Sequence, residues 1–224
     1  MSLEPRLRIV HKWRWCFLLV VCAVTAICVL VLGNAHASRV VRPVDQHGDR
    51  TKAIEAFTMA YSVFMHPRCV NCHPAGNEPL RGEDSKPHEG LRLRRGIDGE
   101  GVSPLKCTNC HQSENQPDHH LPPGAPRVRR DGSLDFTTPR WHLPAANTPM
   151  IFQGRTPAQL CRQLTDPKQN GGLTADQLVH HVSSDPLVLW GWKPGEGRAT
   201  PPLTHDQFVT SVREWLANGG ACPN

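Results

Sequence analysis

Apolar residues recur at three- and four-residue steps in two separate parts of the chain. Between Asp49 and Met65 the positions are Ala53, Ala56, Phe57, Ala60, Tyr61 and Phe64, the period of a helix that buries one face. In the last third, Thr156-Pro-Ala-Gln159, Thr174-Ala-Asp-Gln177 and Thr204-His-Asp-Gln207 each place a glutamine three residues after a threonine. This is the capping box, in which each side chain satisfies a backbone N–H left free at a helix start. The pattern predicts helices over 157–165, 175–184 and 205–217, the last stopped by Gly219. Leu160, Leu164, Leu178, Val179, Val182, Phe208, Val212, Trp215 and Leu216 are the residues expected inward.

The intervening stretch lacks such order. Residues 74–106 carry Gly76, Gly82, Gly90, Gly96, Gly99 and Gly101, and residues 117–149 carry Pro122, Pro123, Pro126, Pro139 and Pro144; turns follow from the first set and short, broken structure from the second. No strand of convincing alternation is evident. The expected fold is therefore mainly α: loop-rich, with short helices and proline-rich connections. A chain of this kind must wrap something, because its own apolar residues make a small core for its length.

The N-terminus reads differently from the rest. Arg6, Arg8, Lys12 and Arg14 precede an apolar run from Trp15 to Leu32, and Ala35-His36-Ala37 follows. Basic residues, an apolar stretch and small residues at a cleavage position make a secretory signal over 1–37, with Ser38 beginning the mature chain. An uncleaved anchor is the alternative, since the run is longer than an ordinary signal core and a little short of the roughly 20 residues of a spanning helix. Both readings put the remaining chain outside the cytoplasm, so the expected location is the periplasm, with membrane contact only through an uncleaved N-terminal segment. The remaining chain then divides into a polar leader over 38–50, a segment over 51–149 and a C-terminal helical segment over 150–224.

Export changes how charge and cysteines are read. The formal net charge is +5, but residues 1–37 hold four of the 25 basic and one of the 20 acidic residues. The mature surface is close to balanced, and no nucleic-acid footprint is present. Of nine cysteines, Cys16, Cys22 and Cys28 lie in the apolar run, and Cys69, Cys72, Cys107 and Cys110 form two pairs. Cys161 and Cys222 remain. In an oxidising compartment two leftover thiols are expected to form a disulfide, worth on the order of 3–4 kcal/mol for a loop of about 60 residues if unstrained; two separate buried thiols are the alternative.

The paired cysteines carry the chemistry. Cys69-Val-Asn-Cys72-His73 and Cys107-Thr-Asn-Cys110-His111 are both the haem-attachment sequence Cys-x-x-Cys-His. Two thiols one helical turn apart can add to the two vinyl groups on one porphyrin edge, and the next residue projects its imidazole beneath the iron. A zinc site built from two Cys-x-x-Cys knuckles would have to span an unusual 34 intervening residues, against the roughly 15–20 of common ribbons, with two coincidental histidines. A redox dithiol of the thioredoxin kind lacks its strand–helix–strand surroundings. The expected cofactors are two covalently bound haem c, on Cys69 and Cys72 with His73 as proximal iron ligand, and on Cys107 and Cys110 with His111.

The distal ligands must come from elsewhere. His88, between the motifs, and His142, in the rigid Trp141-His-Leu-Pro144 stretch, are the preferred candidates, with Met150 the alternative to His142. His66 lies too near Cys69 to reach across its own porphyrin, and Met59 and Met65 read as helix packing. A methionine ligand would raise the potential, whereas two imidazoles generally leave it lower. Six-coordinate irons at both sites imply electron transfer; one open site would imply a small dihaem peroxidase-like enzyme or a haem-based sensor. The motifs begin 38 residues apart, too close for two complete monohaem folds, so the haems are expected to be neighbours.

Several segments taken together carry a family resemblance. His66-Pro-Arg-Cys-Val-Asn-Cys-His-Pro74, Arg95-Gly-Ile-Asp-Gly-Glu-Gly101, Pro123-Gly-Ala-Pro126, Trp141-His-Leu-Pro144, Asp166-Pro-Lys-Gln-Asn-Gly-Gly172 and Asp185-Pro-Leu-Val-Leu-Trp-Gly-Trp192 resemble exported proteins labelled as a subunit of isoquinoline 1-oxidoreductase. That resemblance implies an electron-acceptor role beside a molybdenum-containing hydroxylase, linking it to the respiratory chain, with redox proteins as partners. In spacing alone the motifs also resemble the dihaem small subunit of periplasmic nitrate reductase, where a histidine between the motifs caps the second haem. This implies that His88 serves the His111 iron and leaves the partner of the His73 iron open.

Overall fold

A computed structural model of the chain describes residues 48–88 and 93–224. The expected signal over 1–37 and the leader as far as residue 47, including His47, lie outside the described residues. The helices lie where periodicity and capping predict them. Helix α1, Arg50–Phe64, starts at Asp49, whose carboxylate accepts from the Thr51 and Lys52 N–H groups at 3.0 and 3.2 Å. It buries Ala53, Ala56, Phe57, Ala60, Val63 and Phe64. A short helix α2, Pro67–Val70, follows.

In the last third stand α3, Pro157–Thr165, α4, Ala175–Ser184, α5, Pro186–Trp190, and α6, His205–Ala217. Thr156, Thr174 and Thr204 each cap a helix in a complete reciprocal box with Gln159, Gln177 and Gln207. Beyond α6 the chain turns through Gly219 at φ +89°, a conformation that costs glycine nothing sterically. Helix α5 was not expected from the periodicity. It is short, but Asp185 caps it through the Leu187 N–H and Pro186 opens it.

One apolar core joins the two ends of the chain. Helix α1 lies along α6, with Phe57 packed on Trp215 at a ring separation of 4.9 Å and Phe64 edge-on to Phe208 at 5.1 Å. Leu160, Leu164, Leu178, Val182 and Val212 close round them, while Val179 and Leu216 pack at the margin. Cys161 on α3 is bonded to Cys222, with 5.5 Å between their Cα atoms and a sequence separation of 61, so the chain beyond α6 is tied to the helical core. Among the described residues no helix is long and apolar enough to cross a membrane.

The mainly α expectation is wrong. The structure is 35% helix and 9% strand, a mixed and loop-rich fold in which, among the described residues, six helices stand beside three antiparallel two-stranded ribbons. The ribbons pair β1, Leu80–Arg81, with β2, Lys86–Pro87; β3, Gly101–Val102, with β4, Leu105–Lys106; and β5, Pro126–Val128, with β6, Leu134–Pro139. Four of these strands are two residues long, too short to display alternation. They are held by turns and side-chain hydrogen bonds rather than by a buried face. The third ribbon lies in the proline-rich stretch and survives there because Pro126 and Pro139 stand at its open end, facing each other across the pair, where proline is tolerated.

The disulfide gives this arrangement a measurable anchor. Replacing Cys222 with serine should lower unfolding stability by on the order of 3–4 kcal/mol, read from urea denaturation of the oxidised protein, and a reductant should produce the same loss in the unaltered chain.

Candidate functional site

The first cysteine motif is shaped by α2. His66 caps that helix by accepting the Arg68 N–H on Nδ1 at 3.3 Å, and Pro67 opens it. The turn continues past Val70, since the Cys72 and His73 N–H groups both reach the Cys69 carbonyl at 3.1 Å. Cys69 and Cys72 therefore stand one helical turn apart. At the second motif a 3-10 turn over Cys107–Asn109 does the same work, with the His111 N–H donating to the Cys107 carbonyl at 3.0 Å. The four cysteines are free thiols.

Each motif histidine is held by the same two contacts. His73 Nδ1 lies 2.7 Å from the Met150 carbonyl, and His111 Nδ1 lies 2.7 Å from the Pro123 carbonyl. A carbonyl oxygen only accepts, so Nδ1 carries the proton in both rings and Nε2 keeps a lone pair. Phe152 stacks on His73 at 3.8 Å and 7°, and Trp141 stacks on His111 at 4.4 Å and 5°. Burial pushes His73 down to about 3 and His111 down to about 4. Both imidazoles are neutral at pH 7 and oriented, the state in which a histidine binds a metal.

The distal candidates fall on different sides of this arrangement. His88 ends the first ribbon, its N–H donating to the Pro79 carbonyl at 3.0 Å. Its ring lies edge-on to His111 with 6.5 Å between centroids, and its Nδ1 is buried without a partner. His142 Nδ1 sits 2.9 Å from the Leu143 carbonyl, which leaves Nε2 with the lone pair, and that nitrogen too is buried and unpartnered. His142 is close enough to His73 for each positive charge to oppose the other. Its place depends on Gly99, at φ +81°, whose missing side chain lets the Leu143 carbonyl lie against it, and whose own carbonyl accepts the Leu143 N–H at 2.9 Å. Met150 lies otherwise: its carbonyl serves the protonated nitrogen of His73, and its side chain packs against the helical core.

The remaining histidines are engaged elsewhere. His205 Nε2 bonds the Val182 carbonyl at 2.9 Å, and His180 lies against the Ser184 hydroxyl at 3.3 Å. His119 and His120 are exposed and converge with Asp118, the one group of three or more metal-ligating side chains that converges among the described residues. The four motif thiols form no such group. Burial pushes the Cys69 and Cys72 thiols up to about 12, opposite to the lowered values of reactive dithiols. Cys107 is near enough to Cys72 to add to that rise, so the two motifs are neighbours in space.

Several side chains that matter here escape a reading of motifs and periodicity. Asn71 Nδ2 donates to the Gly82 carbonyl and Asn109 Nδ2 to the Pro104 carbonyl, both at 2.9 Å, so each motif hooks its own neighbouring ribbon through the same residue of Cys-x-Asn-Cys. The repeated asparagine was the available signal. Phe152 carried none, and Pro123 and the fully buried Arg95 stand only within segments of the resemblance, with nothing to mark their contacts. Arg68 is also buried, paired with Glu83 and donating to the Ala199 carbonyl at 3.0 Å, with Trp190 beneath it.

No protein family, curated protein or solved structure matches this chain. The site therefore has to be read from its own geometry.

The lowered histidines set a pH dependence. A group whose folded value is depressed below about 6.5 binds more protons when unfolded, so stability rises with pH through that interval and is lost as pH falls. The chain prepared without any bound cofactor should lose on the order of a few kcal/mol between about pH 6.5 and pH 4, measured by denaturant titration, and replacing His111 with glutamine should flatten that profile.

Proposed function

We propose that the chain is an exported dihaem c-type cytochrome that transfers electrons between a redox partner enzyme and the respiratory chain, without a reaction of its own. The observation that carries this is the approach of His88 to His111. Their 6.5 Å centroid separation is close to the span of one iron bound by two imidazoles, with metal–nitrogen bonds of about 2 Å and about 1 Å more from each nitrogen to its ring centre. The donor set fits the group: paired thiols one turn apart, a neutral imidazole beside each pair, and buried unpartnered nitrogens on two further histidines.

In this reading Cys69 and Cys72 hold one haem and Cys107 and Cys110 the other. Each thiol adds across a vinyl group, the sulfur to one carbon and its hydrogen to the other, with no change in oxidation state. His73 and His142 would hold the first iron, and His111 and His88 the second. Met150 is left out because both its carbonyl and its side chain are otherwise engaged. A bound haem supplies a one-electron iron couple, and paired imidazoles generally keep its potential low. The protein's part is to fix the imidazoles by hydrogen bond and stacking, to exclude water, and to hold the two sites side by side. The signal-like sequence over 1–37 supports a periplasmic location, and the family resemblance supports a molybdenum-containing hydroxylase as partner.

Expression with haem-maturation machinery should give two low-spin haems per chain by pyridine-haemochrome assay and optical spectroscopy. Replacing His88 or His142 with alanine should each convert one of the two to a high-spin form that binds carbon monoxide, whereas Met150 to leucine should leave both low-spin. A high-spin iron in the unaltered protein that reacts with peroxide would overturn the electron-transfer reading in favour of a peroxidase or sensor.

A further inference from the structure

Arg95 is 1% exposed, and among the described residues no carboxylate pairs with it. Its two terminal nitrogens donate to backbone carbonyls, Nη1 to Pro149 and Nη2 to Gly76, both at 3.0 Å. Its Nε is buried with no partner. A guanidinium keeps its charge at any ordinary pH, and a buried charge is tolerated when an opposite charge accompanies it. Two neutral carbonyls do not supply one.

The place of this charge is specific. Gly76 lies three residues after His73, and Pro149 precedes Met150, whose carbonyl holds the His73 ring. Arg95 thus bridges the two segments that flank the first motif histidine, near enough for its charge to act on that imidazole. Its backbone is fixed as well, with its N–H on the Asn77 carbonyl at 2.8 Å and its carbonyl accepting from Gly101 at 3.0 Å. The side chain is not free to swing to solvent for a counterion, so the counterion has to come to it.

We propose that Arg95 is a carboxylate-binding residue for the tetrapyrrole at His73, with its unpartnered Nε–H donating to a propionate of that haem. This inference rests on the dihaem reading above. Charge-assisted hydrogen bonds of this type are short and strong, and the guanidinium keeps the propionate ionised in a site that would otherwise favour its neutral acid. Arg95 is therefore a positioning residue that holds the macrocycle's orientation and stops its potential from following pH.

The test uses the haem-loaded protein, with haem content measured first. In the unaltered chain the potential of the first haem should stay flat between about pH 5 and pH 8. In Arg95→Gln, with both haems retained, it should fall as pH rises, because the uncompensated propionate takes up a proton on reduction. Arg95→Lys keeps a charge and should keep the flat profile. If the glutamine variant does not mature, infrared redox-difference spectra of the unaltered and lysine proteins, with carbon-13 in the haem propionates, decide the matter: a labelled carboxylate band should move between them. A flat profile in Arg95→Gln with normal haem content, an unmoved labelled band, or a potential that responds instead to added phosphate or chloride overturns the assignment and leaves the dihaem reading standing. A chain that matures without haem overturns both.

Discussion

The hydrogen bond between the His73 ring and the Met150 carbonyl is the contact on which most of the arrangement depends. It fixes which nitrogen of the imidazole is protonated and so which one keeps its lone pair. It also joins two parts of the chain separated by more than seventy residues. The joint is reciprocal, since the Phe152 and Gln153 N–H groups return to the His73 carbonyl at 2.9 and 3.2 Å. Met150 reaches this geometry at φ +40°, a left-handed conformation that a methionine adopts only under constraint. The constraint is visible on both sides, with Arg95 clamping Pro149 and the Phe152 ring lying flat on His73. Through this joint the loop-rich segment is hung on the helical core: Phe152 also packs edge-on to Phe64 of α1 at 5.3 Å.

The second motif repeats the plan with different material. Pro123 supplies the carbonyl and Trp141 the stacked ring, and Trp141 is backed edge-on by Trp190 of α5 at 5.0 Å. Trp190 donates in turn to Asn115 at 2.7 Å, and Asn115 accepts the Gly124 N–H at 3.2 Å beside Pro123. Carbonyl, ring and helix therefore form one closed set of contacts around His111. The supporting turn is weaker than at the first site, being a 3-10 turn without a side-chain cap, and Cys110 is exposed where Cys69 and Cys72 are half-buried. Two chemically similar sites thus differ in exposure, and in the proposed electron-transfer role the more open one is the natural point of exchange with a partner.

The helical half was legible because its signals are local. Three Thr-x-x-Gln starts, one glycine stop and a regular apolar period define α1, α3, α4 and α6 without reference to anything distant, and the two cysteines left over after motif counting find each other at Cys161 and Cys222. The ribbons were not legible, because two-residue strands have no period and depend on Asn71, Asn109 and their turns. Helix α5 had a cap and an opening proline in plain view, yet five residues are too few for periodicity to register. At the site, the two Cys-x-x-Cys-His motifs could be read directly, and so could His88 and His142 as histidines to examine. The place of His88 beside His111 was implied only by a resemblance in spacing, and that of His142 near His73 could not be read at all, since it depends on the contact between Gly99 and Leu143.

Burial at the motifs has one more consequence. A thiol attacks a disulfide or oxidant as its thiolate, and Cys69 and Cys72 are pushed up to about 12 by their surroundings. In the oxidising setting proposed for this chain, two cysteines one turn apart would otherwise be prone to oxidation. Their surroundings favour the protonated thiol, while Cys161 and Cys222 are bonded to each other. The same desolvation keeps His73 and His111 neutral. One physical condition, desolvation at the motifs, thus keeps the Cys69 and Cys72 thiols protonated and the His73 and His111 imidazoles neutral.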